Sequence, residues 1–456
     1  MVIRIHVCFP LFLFLTVVGM PTAHADEPVA DLVSYMQACV KVENFNGSVL
    51  VCKDNETVFR NGYGMANFEH DISNTTETKF RIGSITKQFT AMAIMILEEH
   101  GKLKVEDHVS EYIAGAPEVW ADVTIHHLLT HTSGVPSFTS MPQYRRDMML
   151  PQSIEQMLAR FKDKSLKFAP GEKHEYSNSG YFLLGVIIEK ASGVSYEQFI
   201  GTEICEPLKL NDTGYDRYRT VLKNRASGYR RLPDAIVLDA YLDMSQPYAA
   251  GSLYSTVEDL NRWDQALRRQ EMISADRYEK MYTPEKNGYA YGWAVRTKSG
   301  RKAISHGGGI NGFLSYILRY PEQKLCVVVL CNVLPADPGK VARDLAAIML
   351  GEKYEVPKNP EITDVDYGVF DAYEGQYQIR PDFILTVQRV DDKLTTQATG
   401  QRRLTMLPKS PALFFNMQAN AQITFIQDDS GKTVALILKQ RGQEIRAERI
   451  DSAKRE

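Results

Sequence analysis

The pattern of hydrophobic and polar positions changes its period several times along the chain, and the first change marks a leader. Arg4 and His6 precede an apolar run over residues 7–20, and residues 23–25 read Ala-His-Ala. This three-part pattern is that of a secretory signal peptide, and the run is short for a bilayer span. We therefore expect an exported protein, periplasmic or secreted, that is cleaved after Ala25 and has no membrane span.

Residues 26–354 then combine strand-like and helix-like patterns. Apolar runs flank a turn at Asp54-Asn55, which predicts a hairpin near the start, and the buried run 326–331 predicts an interior strand near the end. Apolar residues at helical spacing predict helices over residues 84–100, 153–160, 181–191 and 340–350, and a second strand pair is predicted at 292–296 and 303–305. Since the strands lie at both ends of a helix-rich middle, we predict an α+β domain: one antiparallel sheet flanked by helices, with a helical subdomain.

The last part of the chain has a different period. Residues 355–364 contain two prolines and are interpreted as a linker. Short, partly alternating runs follow, beginning with residues 373–379 and recurring up to residue 450, with turn residues between them. About eight strands at this spacing are typical of a barrel or sandwich. Residues 365–456 are therefore predicted to form a separate, all-β barrel domain.

Composition excludes some function classes. Hydrophobic residues make up 44% and charged residues 24% of the 456 residues, which is typical of a folded protein. The formal net charge of -3 gives no general attraction to nucleic acid, so we expect no nucleic-acid partner. The five cysteines beyond the leader show no metal-ligand spacing. A Cys39–Cys52 disulfide stays open, although buried free thiols are the commoner outcome, and Cys326 and Cys331 are expected on opposite faces of one strand.

The first candidate for chemistry is Ser84-Ile-Thr-Lys87, at the start of an apolar helix. Side chains three residues apart on a helix lie on one face, so the lysine amine can reach the serine hydroxyl. A desolvated neutral lysine is a workable base for an otherwise weak nucleophile. The spacing alone is weak evidence, because Ser299-Gly-Arg-Lys302 repeats it in a polar turn. An ordinary N-cap serine beside a solvated lysine is the alternative.

Two further segments carry groups that fit such a nucleophile. Tyr176-Ser-Asn178 offers a phenol that can relay a proton and an amide that can orient a substrate carbonyl. His306-Gly-Gly-Gly309 follows a predicted strand, and its glycines allow a ligand backbone to approach closely. A half-buried tyrosine with a capping asparagine, and a flexible glycine loop, are the respective alternatives.

The ordered set Ser84-x-x-Lys87, Tyr176-x-Asn178 and His306-x-Gly308 resembles the three motifs of serine β-lactamases and penicillin-binding proteins, the class C β-lactamases and their D,D-peptidase, D-aminopeptidase and esterase relatives. The resemblance covers roughly residues 30 to 350, and the C-terminal part is similar to the lipocalin-like barrels of some relatives. It implies that Ser84 forms an acyl-enzyme and that Lys87 and Tyr176 share proton transfer. It also implies that Asn178 holds the substrate amide and that the Ser84 and Gly309 N–H groups form the oxyanion hole. It implies no cofactor and no metal.

One departure bears on the substrate. Class C β-lactamases have a lysine where this chain has His306, and in the family a histidine there resembles peptidases and esterases. A histidine is charged only part of the time near neutral pH, so it binds a carboxylate less dependably than a lysine. The expected substrates are peptides with D-amino acids first, small esters second and β-lactams third. A non-catalytic protein that binds penicillin or another ligand is the contrary hypothesis.

Two other expectations remain. His126, His127 and His131 raise the hypothesis of a zinc site, but the H-E-x-x-H pattern is missing, so we interpret them as core or loop histidines. The barrel is expected either to close one end of the active-site groove or to mediate a homodimer.

Overall fold

A computed structural model of the chain describes residues 27–232, 234–358, 362–416, 419, 421–440 and 443–450. The predicted leader, residues 1–25, lies outside them. Within the described ranges, no helix combines the length and the apolar character needed to cross a membrane.

The first domain is α+β, as predicted. Its helices are α1 Glu27–Glu43, α2 Thr86–Glu99, α3 Ile125–Leu129, α4 Pro142–Asp147, α5 Ile154–Leu158, α6 Asn178–Ser192, α7 Tyr196–Ile200, α8 Val257–Arg269, α9 Ala275–Tyr282 and α10 Pro338–Leu350. Its strands are β1 Gly47–Lys53, β2 Glu56–Tyr63, β3 Met65–Asn67, β4 Ile72–Ser73, β5 Phe80–Arg81, β6 Gly214–Tyr215, β7 Tyr229–Arg231, β8 Ile236–Leu238, β9 Leu253–Ser255, β10 Ala294–Lys298, β11 Arg301–Ile310, β12 Phe313–Tyr320, β13 Leu325–Cys331 and β14 Val333–Leu334.

The main sheet has six antiparallel strands in the order β10-β11-β12-β13-β1-β2. The N-terminal hairpin β1–β2 therefore pairs with strands from the far end of the domain, through β13. Its turn residues Asp54 and Asn55 both have positive φ, which matches the type I′ turn that favours tight hairpins. The prediction of one sheet built from distant segments is confirmed.

The central strand β13 is buried on both faces, which explains its continuous apolar sequence. Its alternate residues separate into two cores. Cys326, Val328 and Leu330 lie in the core that also contains α2, α6 and α8, whereas Leu325, Val327, Val329 and Cys331 lie in the core with α1 and α10. Cys326 and Cys331 thus point to opposite faces, as expected from their odd offset.

The same division settles the pairing left open for Cys39. Cys39 lies in the core under α1, whereas Cys52 lies in the core on the other face of the sheet. The sheet separates the two side chains, so the Cys39–Cys52 alternative is wrong. All five cysteines among the described residues are free and buried.

The second domain is a closed eight-stranded antiparallel barrel, as predicted. Its strands are β15 Gly375–Arg380, β16 Phe383–Val390, β17 Lys393–Ala398, β18 Arg403–Pro408, β19 Leu413–Asn416, β20 Ala421–Gln427, β21 Thr433–Gln440 and β22 Gln443–Ile450. Pairing of β15 with β22 closes it. The domain boundaries at 354 and 365 stay predictions, and the barrel has a hydrophobic core of its own.

The predicted first barrel strand, residues 373–379, is wrong at its start. Tyr373 belongs to a short helix, α11 Val369–Tyr373, and the strand begins at Gly375. The helix places the Tyr373 ring flat on Phe425, with centroids 4.0 Å apart, and Phe370 against Phe414. Because these aromatic side chains fill the barrel interior, burial decides the local structure over the alternating pattern.

Phe425 offers a test of the separate barrel core. Substitution Phe425→Ala removes a ring that is 4% exposed and is expected to cost the barrel about 3–5 kcal/mol. All three tryptophans lie between residues 120 and 293. The unfolding transition followed by tryptophan fluorescence should therefore keep its wild-type midpoint. Part of the transition followed by far-UV circular dichroism should move to a lower denaturant concentration. The control Val390→Ala, at a 38% exposed side chain, should move neither. A joint shift of both signals for Phe425→Ala would contradict separate cores.

Candidate active site

Ser84 lies in a 3-10 turn, residues Gly83–Ile85, directly before α2. The turn follows β5, which pairs with β9, so the sheet fixes the start of the helix. Gly83 has a φ of 51°, and a Cβ there would lie 2.9 Å from the Gly309 nitrogen. Only glycine permits this conformation and this close approach. The turn therefore holds the Ser84 backbone beside the strand that carries Gly309.

Lys87, one turn further on, is completely buried. Its Nζ lies 3.2 Å from Ser84 Oγ, 2.8 Å from Asn178 Oδ1 and 2.8 Å from the Ala250 carbonyl oxygen. The predicted contact of the amine with the serine hydroxyl is therefore present. The solvated lysine of the alternative interpretation is not.

The three oxygens determine what the amine can do. An amide oxygen and a carbonyl oxygen only accept hydrogen bonds, so Asn178 and Ala250 each take one N–H of Lys87. A neutral amine has two N–H groups and one lone pair, and the lone pair is then left for the Ser84 proton. Burial lowers the pKa of Lys87 well below its usual value of 10.5, which favours this neutral form.

Tyr176 covers the amine from the other side. The Lys87 Nζ lies 4.8 Å from the centroid of the Tyr176 ring. Tyr176 is 38% exposed, and its hydroxyl hydrogen-bonds with Ser84. Desolvation of this hydroxyl raises the pKa of Tyr176, and the hydrogen bond with Ser84 opposes the shift only in part. Tyr176 is therefore a protonated phenol at neutral pH, in contact with both other groups.

Asn178 is the first residue of α6, so the helix begins three residues before the predicted start. Its Oδ1 accepts from Lys87, and its Nδ2 donates to Thr139 Oγ1 at 3.1 Å. Both ends of the amide are thus engaged, and Asn178 orients Lys87 in this structure. The expected contact with a substrate amide stays a prediction.

The His306-Gly-Gly-Gly309 segment is a strand, and the flexible-loop alternative is wrong. β11 continues to Ile310 and pairs with β12 along this segment, whereas its pairing with β10 ends at Ser305. Residues 306–310 therefore have one edge without a neighbouring strand. A Cβ on Gly308 would lie 1.9 Å from the Ile82 carbonyl oxygen, so glycine is required for β11 to pass this close to the turn that carries Ser84.

His306 is buried and is a neutral imidazole. Its Nδ1 lies 2.6 Å from the Gly307 carbonyl oxygen, which can only accept, so Nδ1 carries the proton. Its Nε2 then accepts from the Tyr289 hydroxyl at 2.9 Å. Burial lowers the pKa of His306 to about 4. The strand therefore presents no histidine cation at neutral pH.

His131 has a positioning role that the sequence did not reveal. Its carbonyl accepts from the Glu175 N–H at 3.0 Å, and its Nδ1 accepts from the Ser177 N–H at 3.2 Å. Its ring packs on Tyr176, with centroids 4.2 Å apart. Both neighbours of Tyr176 are thus bound to one buried histidine. The sequence offered only the histidine itself as a signal, and a histidine at this position is equally consistent with an ordinary core residue.

The zinc hypothesis is not supported. His127 Nδ1 accepts from the Thr124 N–H at the start of α3, and His126 Nδ1 contacts the Tyr291 hydroxyl, while His131 supports Tyr176. Across the described ranges, no group of three or more His, Cys, Asp or Glu side chains is arranged to hold a metal ion.

Comparison with known proteins gives this geometry a family. A family model described as Beta-lactamase matches residues 36–350. Penicillin-binding protein 4* of Bacillus subtilis (strain 168) is 32% identical over 422 residues, which is 86% of this chain and 92% of that protein. The chain belongs to the beta-lactamase family. Members of this family have the fold of serine hydrolases. A second family model, for a domain of unknown function (DUF3471), matches residues 366–449 in the barrel.

Solved structures share the fold of this chain. The octameric penicillin-binding protein homologue from Pyrococcus abyssi is 28% identical, with a TM-score of 0.64, over 92% of this chain and 99% of that chain. A D-stereospecific amidohydrolase from Streptomyces sp. has the same fold at 23% identity, with a TM-score of 0.61, over 71% of this chain and 100% of that chain.

The contact between β11 and the Ser84 turn can be tested with glycine substitutions. Gly308→Ala places a methyl group 1.9 Å from the Ile82 oxygen, so we expect a loss of about 1–3 kcal/mol in the free energy of unfolding. Gly309→Ala is the matched control, because its Cβ meets only the Leu314 side chain at 3.3 Å. Denaturant titration followed by tryptophan fluorescence measures both. Equal stability of the two variants would contradict the close approach.

Proposed function

We propose that this chain is an exported serine hydrolase that cleaves amide or ester bonds through an acyl-enzyme on Ser84. The observation that supports this most is the state of the Lys87 amine. In the neutral form that burial favours, its two protons go to Asn178 Oδ1 and the Ala250 carbonyl oxygen, which leaves its lone pair for Ser84 Oγ, 3.2 Å away. A solvated lysine beside an N-cap serine would not be buried among these three oxygen atoms.

In the proposed reaction, Ser84 Oγ attacks the substrate carbonyl carbon while its proton moves to Lys87 Nζ. The carbonyl oxygen becomes an oxyanion, which accepts from the N–H groups of Ser84 and Gly309. The Tyr176 hydroxyl gives its proton to the leaving nitrogen or oxygen, and the proton held by Lys87 restores the phenol. Water then attacks the acyl carbon while one of its protons moves to Lys87 Nζ, and Ser84 Oγ leaves with that proton, which releases the acid and restores the free enzyme. The raised pKa of Tyr176 and the lowered pKa of Lys87 favour the lysine as the base.

The electrostatics of the site bear on the substrate. A histidine that is neutral above a pKa of about 4 offers no cation for a substrate carboxylate at neutral pH. We therefore infer that peptides with D-amino acids whose bound part is uncharged rank first, small esters second and β-lactams third. The free edge of β11 at residues 306–310 fits an extended peptide backbone, which can add to it as a strand. Asn178 Nδ2 then gives up its hydrogen bond to Thr139 and donates to the substrate carbonyl instead.

Covalent labelling tests the nucleophile. A fluorophosphonate or a labelled penicillin is expected to modify the wild type. Ser84→Ala is expected to lose the label completely because, among the described residues, Ser84 has the only hydroxyl hydrogen-bonded to the Lys87 amine. Ser299→Ala is the matched control, since Ser299 has the same spacing to a lysine but lies in the exposed β10–β11 turn. Gel fluorescence and peptide mass spectrometry measure both. Absence of label in folded wild type would favour the binding-protein hypothesis.

The pH dependence tests the base. Only the neutral amine accepts the Ser84 proton. We therefore expect kcat/KM to rise with pH through the lowered pKa of Lys87 and to reach a plateau at a pH well below 10.5. Lys87→Arg keeps a proton at every working pH, so we expect a loss of about 10²- to 10⁴-fold across the whole profile. Lys302→Arg, from the repeated motif, should leave the profile unchanged. Activity of Lys87→Arg at the wild-type level would exclude the lysine as base.

A further inference from the structure

Two cysteines outside the active site lie beside each other on adjacent strands of the main sheet. Cys52 on β1 and Cys326 on β13 are direct partners in the antiparallel register. Directly opposite residues project from the same face of a sheet, and both side chains lie in the core under α2, α6 and α8. Their neighbours Val51 and Val327 lie in the other core, which confirms the direction of both thiols.

The backbone spacing suits a covalent bond. Opposite Cα atoms in an antiparallel pair are about 4.5 or 5.5 Å apart, depending on their hydrogen-bonding position. Disulfides span Cα distances of roughly 4.4–6.8 Å. Both spacings fall in this range, so the register is compatible with a disulfide, although both thiols are free in this structure.

The other described cysteines are poorer partners. Cys39 and Cys331 lie in the core on the opposite face, with the sheet between them and Cys52. Cys205 lies in a separate helical turn, residues Gly201–Cys205, which does not pair with the sheet. Register and facing thus select one pair of thiols.

We propose that Cys52 and Cys326 form a cross-strand disulfide when the protein folds under oxidising conditions. The two thiols lose two protons and two electrons, one S–S bond forms, and a disulfide-containing oxidant is reduced to two thiols through a mixed disulfide. The bond connects the N-terminal hairpin to β13, and it closes a loop of roughly 270 residues.

Burial determines when the bond forms. Both thiols are fully buried, and α8 covers Cys52, with Gln265 Nε2 and Arg268 Nη2 each 4.0 Å from its sulfur. Desolvation raises the pKa of both thiols, so neither is a good nucleophile in the folded protein. The disulfide therefore forms before α8 packs on the sheet, and afterwards it is protected from reductants.

The test is refolding of the full chain in a mixture of reduced and oxidised glutathione, followed by alkylation of the remaining thiols in denaturant and peptide mass spectrometry without reduction. We expect a linked pair of peptides containing residues 52 and 326, with a mass lower by two hydrogen atoms. Cys39, Cys205 and Cys331 should be alkylated. Alkylation of both Cys52 and Cys326, or a bond from either to another cysteine, would overturn the proposal.

Variants give a second readout. A reductant present during refolding is expected to lower the denaturant midpoint of the wild type and of Cys205→Ser, a matched buried control, but not that of Cys52→Ser or Cys326→Ser. A midpoint that does not depend on the reductant in the wild type would also overturn the proposal. If a serine variant fails to fold, the peptide map of the wild type still decides.

Discussion

The burial of one amine is the constraint on which the active site depends. Lys87 lies without solvent contact among the Ser84 hydroxyl, the Asn178 amide and the Ala250 carbonyl. A buried ammonium would need an anionic partner, and these three partners are uncharged. Burial favours the neutral amine, whose two protons go to Asn178 and Ala250 and whose lone pair is then left for the serine. A stability requirement and a catalytic requirement are thus met by one set of contacts.

The rest of the fold brings these groups together from distant segments. Gly83 and Gly308 allow β11 to pass the turn before α2 at distances that a side chain would prevent. His131 binds the backbone on both sides of Tyr176, and Thr139 fixes the Asn178 amide. The site therefore depends on backbone packing as much as on its reactive side chains. Substitutions at these supporting positions alter the geometry without removing a reacting group.

Much of this arrangement could be predicted from the sequence, because the motifs are local. Ser84 and Lys87 share a helix face through their spacing alone, and the apolar run of β13 indicates a strand buried on both faces. Alternation along the C-terminal part predicts the barrel strands. The sequence could not show that His306 is neutral, because its pKa depends on burial contributed by other segments. Nor could it show the support given by His131 or the register that joins Cys52 to Cys326, since both arise only when distant strands and loops pack.

The protonation state of Lys87 can be observed without a substrate. Side-chain NMR of the protein labelled with ¹³C and ¹⁵N at lysine, recorded over a range of pH, measures the pKa of Lys87 directly. The spectrum of Lys87→Arg identifies the Lys87 resonance. We expect a neutral Lys87 amine at pH 7, with a pKa well below the usual 10.5. A Lys87 resonance that remains that of an ammonium group up to about pH 10 would contradict it.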